Sequence, residues 1–143
     1  MSKVEWEREY YYPDRQCEIP YVNGQVHGIA KRYHLSGQLE CEVSYVNGQK
    51  HGVEKWYYDN GKLQSEIPFG NGQIYGIAKW YYTSGHLKCE VSYVNGQKHG
   101  VEKWYHTNEQ LKEVKYYWRD RLISKEQWNN IPRLTKLLNG VVE

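Results

Sequence analysis

An elongated, single-layer antiparallel β-meander of stacked hairpins, ending in a short C-terminal helix, is the fold class the sequence predicts. Three observations predict it. Four copies of 24 residues align without gaps from Asn23, Asn47, Asn71 and Asn95, and a fixed period of this length marks a repeat architecture. Each copy carries two turn signals: Asn-Gly before Gln, then Ser36-Gly37, Asn60-Gly61 or Ser84-Gly85. The segments between turns are about 8–10 residues long and rich in Val, Ile, Tyr and Trp, which reads as two strands per copy and roughly nine to ten in all.

Composition agrees. Only 39% of the 143 residues are hydrophobic, yet 15% are aromatic, with 15 Tyr and 6 Trp against one Phe. Disordered chains lack aromatics, so this is a thin fold whose apolar area comes from amphipathic rings. The 19 basic and 17 acidic residues are mixed along the chain, which gives no broad basic field for nucleic acid or anionic lipid. No apolar run approaches the roughly 18–20 residues that span a bilayer. The start, "MSKVEWEREYYYP", is charged where a signal peptide is apolar. Together with three scattered cysteines, this predicts a cytoplasmic protein.

A partial copy (Tyr10 to Val22) leads the chain. The full copies follow at 23–46, 47–70, 71–94 and 95–118, with a frayed copy from Arg119. The predicted domains are a repeat domain over 1–123 and a helical cap over 124–143. A second order lies above the repeat: "CEVSYVNGQKHGVEKWY" occurs unchanged at Cys41–Tyr57 and Cys89–Tyr105.

Asn-Gly suits a type I′ turn because both central residues need positive φ. Two-residue turns fix register. Around Asn47-Gly48, Val46 should face Gln49, Val43 Gly52, Cys41 Glu54 and Leu39 Trp56. Around Asn60-Gly61, Tyr58 should face Leu63, Trp56 Ser65, Glu54 Ile67 and Gly52 Phe69. Leu39, Cys41, Val43, Tyr45, Trp56, Tyr58, Leu63, Ile67 and Phe69 then share the core face. Glu40, Glu42, Lys55 and Glu66 share the other, with Val53 and Tyr57. Lys55 should oppose both Glu40 and Glu66, as Lys31 opposes Glu42 and Lys79 opposes Glu90. Such a sheet should twist and coil around its aromatic face.

In the fourth copy Glu109 replaces the turn glycine and "EVKYYW" reverses polar parity. A bulge is expected there, carrying Val114, Tyr116 and Trp118 inward and Lys115 off the core face. Beyond it, Ser124 and Gln127 form a capping-box pattern, and "IPRLTKLL" restarts helix after Pro132. Leu134, Leu137 and Leu138 fall on one side of that helix, which should cover the last strand or plug one end of the core.

The chemistry-bearing residues follow the repeat. Cys17, Cys41 and Cys89 hold one position, with Ser65 between them. Neighbours two strands apart lie about 9–10 Å away, beyond disulfide reach, so they read as core fillers. His27, His51 and His99 share a column with Tyr75, too widely spaced to converge on one zinc, and read as solvated turn neighbours. Arg32, Glu54 and Glu102 point to the core face. Arg32 should reach Glu54 across Cys41, and Glu102 has Lys115 opposite unless the bulge moves it. Glu54 and Glu102 are four strands apart, about 19 Å in an open sheet, whereas paired glycosidase carboxylates sit within about 5–9.5 Å. They read as structural pairs beside a wet inner groove, with a polar binding groove as the alternative. No nucleophile elbow, P-loop or dinucleotide fingerprint occurs. The sequence therefore predicts no enzyme, no cofactor and no metal.

"YVNGQKHGVEKWYYDNGKL" (Tyr45–Leu63) and "FGNGQIYGIAKWYYTSGHL" (Phe69–Leu87) resemble the MORN repeat, in the variant form of bacterial YwqK-type proteins. The resemblance covers about residues 10–123. Gly52 is followed by Val53-Glu54 where the usual MORN repeat has G-x-G, which places the chain with the variant. The resemblance implies a ribbon of stacked hairpins and an antitoxin or immunity partner that sequesters a toxin or effector. Other MORN proteins imply the alternative, a scaffold or membrane-surface adaptor. A protein partner is thus expected, with no nucleic acid or membrane partner, and self-association stays open. Candidate contacts are the outward columns Tyr33, Tyr57, Tyr81, Tyr105 and Lys31, Lys55, Lys79, Lys103, since tyrosine is a frequent interface anchor.

Overall fold

The computed structural model describes residues 4–7 and 16–140; residues 10–15 of the leading partial copy lie outside them. In chain order the strands are β1 (Val4–Glu7), β2 (Cys17–Val22), β3 (Gln25–Val26), β4 (Gly28–Tyr33), β5 (Leu39–Val46), β6 (Gln49–Lys50) and β7 (Gly52–Tyr57). They continue as β8 (Leu63–Gly70), β9 (Gln73–Ile74), β10 (Gly76–Tyr81), β11 (Leu87–Val94), β12 (Gln97–Tyr105), β13 (Leu111–Trp118) and β14 (Arg121–Ile123). Two short helices follow, α1 (Lys125–Asn130) and α2 (Arg133–Leu138). The chain forms one open antiparallel meander, β1-β2-β4-β5-β7-β8-β10-β11-β12-β13-β14, in which β3, β6 and β9 complete the hairpins at the Asn-Gly turns. None of its described helices is long and apolar enough to cross a membrane.

The turn chemistry acts as expected. Asn23, Asn47, Asn71 and Asn95 hold φ of 49–52° and their glycines 75–80°, the type I′ requirement. Each turn is also tied to the previous one. Gly48, Gly72 and Gly96 donate their amides to the carbonyls of Val26, Lys50 and Ile74 at 2.8–2.9 Å.

Register departs from the simple expectation at two places in every copy. Val46 faces Gln49 and Tyr45 faces Lys50, but farther along Cys41 faces Trp56 rather than Glu54, and Glu42 faces Lys55. The step lies at His51-Gly52. The His51 amide still bonds the Ser44 carbonyl at 2.9 Å, then Gly52 turns to φ 97° with its Cα close against Ser44. Gly28, Gly76 and Gly100 do the same at φ 102–114°. At the other turn Tyr57, not Tyr58, faces Leu63, with a one-residue bulge after Trp56. The same bulge after Arg32 displaces Glu40. Glu40 therefore leaves the outer row, is buried, and accepts the Arg32 Nε–H at 2.7 Å. The first step is two residues wide, so side-chain parity survives it, whereas the one-residue bulge sets Leu39 and Leu63 across from the outer Tyr33 and Tyr57 instead of on the core face; apart from these and Glu40 the predicted sets keep their faces.

Two straight rows result. On the inner face, Cys17, Arg32, Cys41, Trp56, Ser65, Trp80, Cys89, Trp104 and Glu113 face one another in succession across nine strands. From Cys41 to Trp104 a small residue alternates with a tryptophan, so each ring leans over a small neighbour. Cys41, Ser65 and Cys89 are buried in this alternation, with Val43, Ala78 and Val91 beside them, and Cys17, opposite Arg32, is buried as well. On the outer face, Glu18, Lys31, Glu42, Lys55, Glu66, Lys79, Glu90, Lys103 and Val114 form the parallel row. Opposite charges directly across a sheet contribute about 0.2–1 kcal/mol per pair and pin register.

The expected inward shift of the fourth copy does not occur. Glu109 itself adopts φ 65°, the conformation its glycine counterparts take, so the turn closes without a change of parity. Glu102 faces Lys115 and Lys103 faces Val114. Val114, Tyr116 and Trp118 stay on the outer face because the C-terminal helices cover it there. Trp128 is buried and its ring lies 5.7 Å from that of Tyr116. The capping box forms: Gln127 donates its amide to Ser124 Oγ at 3.1 Å, and Ser124 donates back to Gln127 Oε1 at 2.9 Å. The cap lies on the outside of the last strands rather than plugging the core. Leu134 and Leu137 are exposed, whereas Lys136 is buried with its Nζ 4.4 Å from the Trp128 ring centre. The side chain of Leu138 lies outside the described residues.

Candidate binding surfaces

On the outer face, the predicted tyrosine and lysine columns do form, and the glutamates organise both. Tyr57, Tyr81 and Tyr105 donate their hydroxyls to Glu42, Glu66 and Glu90 at 2.9–3.0 Å, and Tyr33 to Glu18 at 3.2 Å. Lys55 reaches Glu42 at 3.7 Å and Lys103 reaches Glu90 at 3.0 Å. Lys31 and Lys79 stand across from glutamates on both sides. Burial, then the glutamate bonds, push the Tyr57 and Tyr81 hydroxyls up to about 12; Tyr33 and Tyr105 are raised by the same causes. These tyrosines are therefore fixed donors with oriented rings, half-buried along their length. Two positions before each lysine, Ile29, Val53 and Ile77 stand 47%, 41% and 37% exposed. The outer face thus carries three parallel columns, apolar, cationic and aromatic, at the repeat period. The sequence reading placed Val53 on this face but did not extend it to a column with Ile29 and Ile77, although their parity with Lys31 and Lys79 was there to find it.

Behind the tyrosines a second set of bonds stitches the copies together. Tyr58 and Tyr82 donate to the carbonyls of Tyr81 and Tyr105 at 2.6 and 2.8 Å, and His34 Nε2 meets the Tyr57 carbonyl at 3.0 Å.

On the inner face, Arg32, Glu54 and Glu102 are present as expected but differently partnered. Arg32 does not reach Glu54. It bonds Glu40 and lies 4.7 Å over the Trp56 ring, because the register step moves Glu54 away from Cys41. Glu54 instead accepts from Lys50 and from Trp56 Nε1 at 2.6 Å. Glu102 accepts from Lys98 at 2.7 Å and Trp104 Nε1 at 2.6 Å, while the Lys115 opposite it turns to Glu113 at 3.2 Å. Burial opposes the Glu102 charge, but the Lys98 and Trp104 bonds outweigh it and hold its pKa below the usual carboxylate value. The sequence did signal this. Lys50 with Glu54 and Lys98 with Glu102 occur together, and Val26 with Ala30 and Ile74 with Ala78 replace both at once. Glu54 and Glu102 are thus each satisfied within their own triad. Trp80, Trp104, Tyr93, Val91 and Cys89 line a groove of about 290 Å³ beside the second triad. Burial, then the neighbouring glutamate, push the Cys41 and Cys89 thiols to about 12 and about 11, which leaves them protonated core groups.

In the histidine column one member differs from the solvated reading. His27 Nδ1 meets the Asn47 amide at 3.3 Å, a link to the next turn. His99 makes the same link to the Arg119 amide at 3.1 Å, but it is only 2% exposed and stacks on Trp118 at 4.3 Å. The C-terminal cap and the outward Trp118 account for the burial. Its Nε2 has no hydrogen-bond partner among the described residues.

Among family models, the MORN repeat variant matches residues 26–47, 50–71, 74–95 and 98–119, in step with the hairpin period. No curated protein matches the chain.

Proposed function

The chain belongs to the MORN repeat variant family, and from that premise we propose that it is a non-enzymatic, cytoplasmic protein-binding module whose outer face holds the partner. The observation that carries this reading is the exposed column of Ile29, Val53 and Ile77 running beside ordered lysines and tyrosines. Large apolar side chains on an outward sheet face, rimmed by polar ones, are the composition of an interface centre. Catalysis has less support: the buried carboxylates are occupied in separate triads. The partner in the finer reading is a toxin or effector that the module sequesters, as the YwqK-type resemblance implies.

The test is coexpression of the full chain with the products of adjacent genes, followed by size-exclusion chromatography. Stable co-elution of one such product at defined stoichiometry supports the reading. If no neighbour co-elutes and the chain instead sediments with anionic liposomes, the adaptor role replaces it.

A further inference from the structure

The departures from the repeat converge on one cavity. It has a volume of about 600 Å³ and lies between the last Asn-Gly turn and the end of α2. Tyr75 stands where the other copies have histidine, Arg119 where they have the turn asparagine, and Asn139 belongs to no repeat. Asn95 and Gln97 of the last turn complete its polar rim.

The chemistry of the lining is one-sided. Arg119 brings a guanidinium, Tyr75 a hydroxyl, and Asn95 and Gln97 carboxamides, and no carboxylate among the described residues lines it. Among the described residues, the side-chain partner of Arg119 Nη2 is the neutral Asn139 Oδ1, at 3.2 Å. His99 adds an unmet donor. Its Nδ1 accepts the Arg119 amide, so the ring proton of the neutral imidazole sits on Nε2, the buried atom without a partner. An orphaned buried donor beside an arginine that has no anionic partner among the described residues calls for an acceptor that carries negative charge.

We infer that this cavity is an oxyanion site, taking the carboxylate or phosphate group of a small solute between Arg119 and the His99 edge, with Tyr75 and the turn carboxamides at its rim. None of its lining residues belongs to the Ile29–Val53–Ile77 column, and the site does not depend on the protein-binding reading. A volume of this size suits a small metabolite.

Nuclear magnetic resonance titration of the full chain tests it, reading the His99 Nε2–H and Arg119 side-chain signals against succinate in one arm and inorganic phosphate in the other, with chloride at matched ionic strength as the control. Saturable shifts of both signals with a dissociation constant of about 1 mM or tighter are expected in at least one arm, and the arm that saturates at lower concentration identifies the anion type. Arg119→Asn, which restores the repeat's own turn residue and so preserves the fold, should weaken that binding at least about tenfold. Shifts that stay linear to about 50 mM in both arms, or that match chloride, overturn the proposal, as does unchanged affinity in Arg119→Asn.

Discussion

Single residues in this chain are legible by their column, and exceptions to a column carry the information. His99 is the clearest case. Burial, then the Arg119 charge, hold its imidazole below the ordinary value of 6.5. An unfolded chain takes up the proton near 6.5 while the folded one resists it, so stability is full above that pH and declines as pH falls toward the folded value. Chemical denaturation of wild type at pH 7.5 and 5.5 should show a loss that His99→Gln, which keeps an acceptor but does not titrate, reduces. Equal losses in both proteins would contradict the burial of a neutral ring. Glu102 gives a second prediction. Glu102→Ala strands the Trp104 N–H and the Lys98 ammonium, and should cost about 1–3 kcal/mol by denaturant unfolding. Replacing Lys98 and Glu102 together with the Ile and Ala of the third copy should restore most of that loss. The paired exchange of these residues between copies was visible in the sequence. The burial of His99 was not, because it depends on a cap that joins the sheet from outside the repeat.

At the scale of elements, the meander order, turn type and most of the face assignment followed from periodicity, but registry and strand number did not: fourteen strands form among the described residues where nine to ten were expected, because the strand after each of the first three Asn-Gly turns breaks into a short and a long piece. Two-residue turns set pairing only near the turn, and each copy inserts a two-residue step at its His/Tyr-Gly and a one-residue bulge before the next strand. The step preserves parity, which is why the faces were readable while Arg32 was given the wrong partner. Gly52 marks the cause. Its φ of 97° and a Cβ position 3.3 Å from Ser44 Cβ predict that Gly52→Ala costs roughly 1–3 kcal/mol in thermal or denaturant melts, against a smaller loss at the open Gly48 turn. Glu109 predicts the opposite sign. It holds φ 65° and is exposed, pairing only with half-exposed His86 at 3.0 Å. Glu109→Gly should therefore stabilise the protein by up to about 1 kcal/mol. The reversed parity of β13 was misread for the same kind of reason as His99: Val114, Tyr116 and Trp118 are apolar and outward because Trp128 and the cap lie over that end of the outer face.

Across the whole molecule, the fold is an open ribbon whose two faces have separate tasks. The inner face holds the core, alternating small residues with rings and placing Glu54 and Glu102 each in a closed triad. The outer face orders lysine and tyrosine along a glutamate ladder and leaves isoleucine and valine uncovered. At one end the chain's own helices cover that face where Glu and Ser give way to Val and Tyr; elsewhere it stays open. The central claim is that the open part of this outer face binds a protein. The most direct measurement is calorimetric titration of the co-eluting partner against three forms: wild type, the outer triple variant Ile29→Glu/Val53→Glu/Ile77→Glu, and Lys88→Ala, at a lysine that lines the inner groove with Trp80 and Trp104. Affinity should fall at least about 100-fold in the outer variant, as expected when a cluster of interface anchors is lost, with its thermal melt retained and Lys88→Ala binding as wild type. Wild-type affinity in a folded outer variant, or loss confined to Lys88→Ala, would contradict the account.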